Sequence, residues 1–198
     1  MTRSESTPDV VVVTGMSGAG RSTTANALED LGWFVVDNMP PAMLPTLVDL
    51  AGRGGDGVPR IAAVVDARGG EYFTDLLGAI EQLTDRSSRP RIVFLEADDD
   101  ALVRRFESSR RPHPLQGEGR IVEGIERERA LLAELRLRAD LLVDTSDLNV
   151  HQLKAVVVHT FGAESGVVAL QVAVRLVVEV VYCPASRTTG VVGGVESE

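Results

Sequence analysis

Apolar, β-branched runs alternate along the chain with segments whose apolar residues recur every three or four positions. The run DVVVVT (9–14) has the length and composition of a strand covered on both faces. GRSTTANALEDLG (20–32) reads as a helix with Ala25, Leu28 and Leu31 on its apolar side and Gly32 as its stop. WFVVD (33–37) is a second strand, and MPPAMLPTLVDLAG (39–52) is a short helix entered through prolines. A glycine-rich turn (52–59) leads to strand three, RIAAVVDA (60–67), and to an amphipathic helix over 71–83. RIVFLEA (91–97) is strand four; the helix over 98–109 carries acidic residues in its first turn, where they favour the dipole. A polar loop (110–119) precedes a long helix (120–139) with solvent-side pairs Glu123–Arg127 and Glu134–Arg138. DLLVDTS (140–146) is strand five, and the helix over 149–161 closes the pattern.

Five apolar strands, each followed by a helix, predict an α/β fold: a five-stranded parallel sheet with helices on both faces. Crossovers should be right-handed, and the site should lie at the carboxyl ends of the strands. The segments to inspect are therefore Gly15–Ser22, Asp37–Asn38, Asp66–Arg68, Glu96–Asp98 and Asp144–Ser146.

Composition narrows the function classes. The chain has 198 residues, 44% of them hydrophobic, which is enough for one packed domain. A net charge of −9 argues against a sequence-independent grip on nucleic acid, which needs Lys and Arg to displace counterions. Cys183 is the only cysteine, so no internal disulfide can form and a reducing compartment is expected. The N-terminal decapeptide has no apolar core of signal-peptide length, and residues 1–8 are expected to be flexible. The most apolar run (167–181) is interrupted by Gln171, Arg175 and Glu179, too short and polar for a bilayer span. These features predict a cytoplasmic protein with no membrane partner.

The stretch Gly15-Met16-Ser17-Gly18-Ala19-Gly20-Arg21-Ser22 has the spacing G-x-x-x-x-G-[KR]-S between a strand and a helix. Small residues let backbone N–H groups approach phosphate oxygens, and the helix N-terminus adds a positive dipole. Ser22 is placed to ligate Mg²⁺. Arg21 stands where Lys is usual; its planar fork keeps the charge and can pair phosphate bidentately, at a cost in turnover. The alternative is a glycine-rich turn without ligand. A dinucleotide-binding fold would also place an acid near Asp37, but G-x-x-G-x-G is not G-x-G-x-x-G. Tyr-x-x-x-Lys is missing too, since Leu76 follows Tyr72 and Ser186 follows Tyr182 at that distance.

Asp66 closes IAAVVD in the manner of a Walker B acid, with Arg68 two positions on; Glu96 and Asp98 compete for that role, although Asp98 is explained as a helix cap. Arg104, Arg105, Arg110 and Arg111 before PHPL form either a phosphate-clamping lid or a solvated basic face. His113, between two prolines, is expected to be exposed, and Trp33 to pack in the core. His151, His159 and Cys183 suggest no chemistry.

The loop GMSGAGRS, with GWFVVDN, VVDAR, RRPHPL and ADLLVDTSDLNVHQL, resembles the RapZ-type P-loop nucleotide-binding proteins, also called RNase adaptor proteins, over residues 9–162. The resemblance implies a P-loop NTPase with an adenylate-kinase-like core. It implies ATP binding at Gly15, Met16, Ser17, Gly18, Ala19, Gly20, Arg21 and Ser22, and GTP-related binding at Asp66, Ala67, Arg68 and Gly69. ATPase and GTPase activity follow, as does homo-oligomer formation; some members present a small regulatory RNA to a ribonuclease. After residue 162 the family's FGFKYG and DVRFLPNPHW runs are absent. We therefore expect a valine-rich tail (163–198), from truncation or a shifted frame, in place of the start of the C-terminal domain that carries RNA and sugar-phosphate sensing.

The expected function is slow, Mg²⁺-dependent ATP and GTP hydrolysis of a regulatory kind. Arg21 and Asp66 are the catalytic candidates, Ser22 and Asp66 the metal candidates, and Arg104, Arg110 and Arg111 the lid contacts. No residue stands out as a general base. The alternatives are a small-molecule kinase and an adaptor that binds RNA or ribonuclease without needing catalysis.

Overall fold

The computed structural model describes residues 8–52, 60–66, 70–85, 89–162 and 181–182. The elements run β1 (Asp9–Gly15), α1 (Arg21–Asp30), β2 (Phe34–Val36), a 3-10 turn (Pro41–Met43), α2 (Leu44–Gly52), β3 (Arg60–Val64) and α3 (Gly70–Asp85). They continue with β4 (Arg91–Glu96), α4 (Asp99–Ser109), α5 (Ile121–Leu137), β5 (Leu141–Asp144), α6 (Val150–Gly162) and β6 (Val181–Tyr182). The sheet order is β2-β3-β1-β4-β5-β6. β1 to β5 are mutually parallel, as the alternation of strands and helices predicts; β6 adds a two-residue antiparallel edge that the pattern does not announce. The segment expected to be a valine-rich tail lies outside the described residues except for β6, as do residues 1–7 and Cys183. Among the described residues no helix is long and apolar enough to cross a membrane.

Side chains alternate between faces along a strand, so consecutive burial requires cover on both faces. Val10, Val11, Val12 and Val13 are all buried, as are Ile61, Ala62, Ala63 and Val64. α1 packs with α6, while α3 and α4 pack with α5. β3 ends at Val64, short of the expected residue 67, which lies outside the described residues; Val65 N–H still donates to Val13 O at 3.0 Å. The prolines of 39–52 split the expected helix into the 3-10 turn and α2.

At the amino ends of the strands Trp33 is buried and meets Phe161 edge-on, with centroids 5.7 Å apart. Arg91 lies over both rings and pairs with Asp9 at 2.9 Å. This cluster fastens α6 to the sheet, so Trp33→Ala should destabilise the protein by about 3–5 kcal/mol in urea unfolding. An unchanged midpoint would remove the cluster from the stabilising core.

The chain leaves β1 towards β2 on one side of the sheet and leaves β4 towards β5 on the other. The carboxyl ends of β1 and β4 therefore form a switch point, where open α/β sheets bind ligands.

Candidate functional site

The loop after β1 begins with a backbone contact that admits no side chain. A Cβ on Gly15 would lie 2.1 Å from Leu95 O, at φ +134. The next four residues are each held from behind by a different element. Met16 N–H donates to Leu95 O in β4 at 2.9 Å. Ser17 N–H and Oγ–H donate to the Glu128 carboxylate in α5 at 2.9 and 2.6 Å. Gly18 O accepts from Arg105 Nη1 in α4 at 3.0 Å, and Ala19 O accepts from the Thr145 hydroxyl after β5 at 3.0 Å. Arg105 continues to Thr145 O, Thr145 Oγ1 and Leu148 O, which ties the loop to the β5–α6 turn. Burial lowers the Arg105 guanidinium below its ordinary value, Asp98 and Asp144 acting in the opposite sense.

The front of the loop is left open. α1 starts after Gly20, at φ 106, with no side-chain cap, and its first ladder bond at this end is Thr24 N–H to Gly20 O. The N–H groups of Arg21, Ser22 and Thr23 thus have no intrahelical partner, and Ser22 is exposed. Uncapped N–H groups with the helix dipole behind them form a concavity for an anion.

Arg21 turns to the end of β3. Its Nη1 lies 3.7 Å from Asp66 Oδ1 and donates to Val65 O at 3.4 Å. Burial draws its guanidinium below the ordinary value, while the Glu128 and Asp37 carboxylates push it back up. Arginine stays charged under such a shift. The rival acids are engaged elsewhere. Glu96 accepts both bonds of the Arg136 fork, at 2.6 and 2.9 Å, which raises the Arg136 guanidinium; Asp98 caps α4 through Ala101 N–H at 2.6 Å. Ala67, Arg68 and Gly69, the expected GTP-related contacts beside Asp66, lie outside the described residues.

The family model of the RapZ-like N-terminal domain matches residues 8–165. The chain belongs to this family. A nucleotide-binding protein of Thermobifida fusca (strain YX) is 65% identical over 155 residues, 78% of this chain and 53% of that protein. Another, from Clavibacter michiganensis, is 57% identical over 165 residues, 83% of this chain and 56% of that protein. The chain thus spans about half the length of the curated relatives it matches. Among solved structures, shikimate kinase from Acinetobacter baumannii in complex with shikimate aligns over 81% of this chain and 96% of its own, with a TM-score of 0.54 and 15% identity. The tunicamycin resistance protein of Deinococcus radiodurans aligns over 78% and 96%, with a TM-score of 0.51 and 18% identity. These likenesses show the fold: this RapZ-like domain has the α/β P-loop architecture of small kinases.

Within the RapZ-like domain the basic group divides. Arg104, Arg110 and Arg111 are exposed around the end of α4, whereas Arg105 turns inward to the loop of residues 15–22. His113, expected to be exposed, is 2% exposed. Its flanking prolines keep it out of a helix, yet the loop lays the ring against Phe106 (centroids 4.8 Å apart) and over Gly124. Glu128, which no motif singles out, is fully buried. Its signal is its position: it falls on the buried stripe of Ile125, Leu132 and Leu135, where a glutamate needs a partner. Among the described residues no cluster of three or more His, Cys, Asp or Glu could hold a metal alone.

Proposed function

We propose that this protein binds ATP and GTP with Mg²⁺ at the loop of residues 15–22 and hydrolyses them slowly, in a regulatory rather than a metabolic role. The observation that carries the reading is the open front of that loop: uncapped N–H groups at a sheet switch point, with Arg21 alongside. Ala19, Gly20 and Arg21 cradle the phosphates, and the GTP-related contacts extend from Asp66 towards Gly69. The names of the relatives agree with nucleotide binding.

The donor set suits Mg²⁺. Ser22 offers a hydroxyl and Asp66 a carboxylate, hard oxygen ligands too few to hold a metal without phosphate and water. Bound Mg²⁺ supplies charge neutralisation on the phosphates. The chain's own residues do the rest: the loop orients the triphosphate, Arg21 meets its charge, and Asp66 keeps Arg21 at the edge of the concavity. The overall reaction adds water across the terminal phosphoanhydride, releasing nucleoside diphosphate and phosphate. Slow turnover follows from Arg in place of Lys.

A second reading, phosphoryl transfer to a small acceptor, draws on Asp37. Its carboxylate acts on Arg21 from the end of β2, and Asn38 beside it adopts a left-handed φ of 52. Calorimetry with ATP and GTP, with and without Mg²⁺, paired with phosphate release, tests both. Tight binding with slow Mg²⁺-dependent release supports the hydrolase, and acceleration by an added acceptor supports the kinase. Binding without release favours the adaptor, with RNA or a ribonuclease as partner. Absence of binding overturns the nucleotide reading.

A further inference from the structure

A glutamate without solvent access must find compensation inside the protein. Glu128 has no exposed surface and receives three donors. Oε1 accepts from Ser17 Oγ–H at 2.6 Å; Oε2 accepts from Ser17 N–H at 2.9 Å and lies 3.1 Å from His113 Nε2. His113 Nδ1 accepts from Leu115 N–H at 3.2 Å, so the ring proton sits on Nε2 and donates to Glu128. The histidine is seated tightly: a Cβ on Gly124 would come within 2.5 Å of its Nδ1. Arg127 Nη1 holds Leu115 O at 3.0 Å, and Gln116 Nε2 holds Gly119 O at 2.7 Å, giving the loop its own internal order. Phe106, edge-on to His113, also lies under Gly18, whose Cβ would be 3.4 Å from the ring. The loop after α4 and the phosphate loop therefore meet at one buried carboxylate.

We propose that Glu128 is a positioning residue that couples the loop of residues 111–119 to the phosphate loop, so that a ligand or partner drawing His113 off Glu128 loosens the Ser17 peptide and weakens phosphate binding. The contacts stand independently of the nucleotide reading; the effect on phosphate rests on it. The physical reason is shared satisfaction. Removing His113 leaves a buried carboxylate short of one of three donors, a shortfall that lasts only while Glu128 stays buried, so opening of its bonds to Ser17 becomes easier. Those bonds fix the peptide leading into Gly18, the residue that Arg105 holds from the other side.

Amide hydrogen exchange on the full chain without nucleotide tests the coupling directly, in His113→Phe, Glu128→Gln and Glu128→Leu. His113→Phe keeps the ring against Phe106 and deletes the donor; it should raise Ser17 exchange by roughly three- to tenfold while β3 amides stay unchanged. Glu128→Leu should raise it by more than about tenfold. Glu128→Gln, whose amide oxygen still accepts from Ser17 N–H, should stay near the parent. If Glu128→Leu does not fold, the other two variants carry the comparison. Ser17 exchange unchanged in His113→Phe, while residues 113–119 loosen, would overturn the coupling. ATP calorimetry then separates the two claims. Affinity falling in the order of the exchange rates supports the effect on phosphate, and parent-like affinity in a loosened His113→Phe overturns it. A parent protein that binds no nucleotide sinks the nucleotide reading and this effect with it, leaving the coupling to be decided by exchange.

Discussion

Gly15→Ala is expected to destabilise the protein by at least about 3 kcal/mol, a fall of about 10 °C or more in Tm for a domain of this size. The new methyl group would meet Leu95 O at 2.1 Å, Leu95 N at 2.6 Å and Leu95 C at 2.8 Å. All three are backbone atoms in the centre of a parallel sheet, and no rotamer change moves them. The same carbonyl accepts the Met16 N–H bond, so displacing β4 would also release the start of the glycine-rich loop. A φ of +134 adds strain for any L side chain. Gly78→Ala is the matched control. Gly78 lies inside α3, where among the described residues an added Cβ meets nothing within 4 Å, and the change should stabilise by about 1 kcal/mol. Thermal and urea unfolding of the two variants decide the matter. An unperturbed Gly15→Ala protein would show that β1 and β4 can part at no cost, contrary to their register of Gly15 beside Leu95.

Arg21→Ala should weaken ATP and GTP binding by about ten- to a hundredfold, whereas Arg21→Lys should stay within a few-fold of the parent. Losing a charged donor to phosphate accounts for about 1.5–3 kcal/mol. The surroundings push the effect to the upper end. Asp66 lies 3.7 Å from the guanidinium, and Asp37 and Glu128 also act on it. Without the cation, three carboxylates bear on an incoming polyphosphate with one fewer counter-charge. Lysine restores that charge in the position the motif usually gives it, although it loses the planar fork. Calorimetry with ATP, ADP and AMP resolves the contribution by phosphate. A loss that grows with phosphate number supports Arg21 as a phosphate contact. Equal affinities in Arg21→Ala and parent would leave the arginine as a structural partner of Asp66 and Val65 O.

The parallel order of five strands was legible because strands buried on both faces read as unbroken apolar runs, and DVVVVT and RIVFLEA are such runs. The loop was legible because its glycines and its place between strand and helix are local. The pairs Glu123–Arg127 and Glu134–Arg138 form as their four-residue spacing predicts, at 3.7 and 2.7 Å, and Asp98 caps its helix. The burial of His113 was not legible, because neighbouring prolines describe a backbone, not what the backbone lies against. Arg105 could not be told from Arg104 by composition; one helical step separates a side chain that faces water from one that faces the loop of residues 15–22 and the turn after β5. The antiparallel edge at Val181–Tyr182 carries too few residues for a periodic signal.

The amino-acid sequence by itself determined the class of this protein, because hydrophobic period, β-branching and glycine spacing act over a few residues and survive without knowledge of the rest. It determined the place of the glycine-rich loop between β1 and α1, and the family, for the same reason. Only the tertiary structure decided what holds that loop. Met16, Ser17, Gly18 and Ala19 are anchored by β4, α5, α4 and the turn after β5, and Ser17 and Glu128 are 111 residues apart in the chain. Such pairings depend on strand order and helix rotation, which set which buried polar group finds which partner. The carboxylate of Glu128 has no meaning in a helical pattern; it acquires one when the fold removes water from it and leaves Ser17 and His113 as its donors.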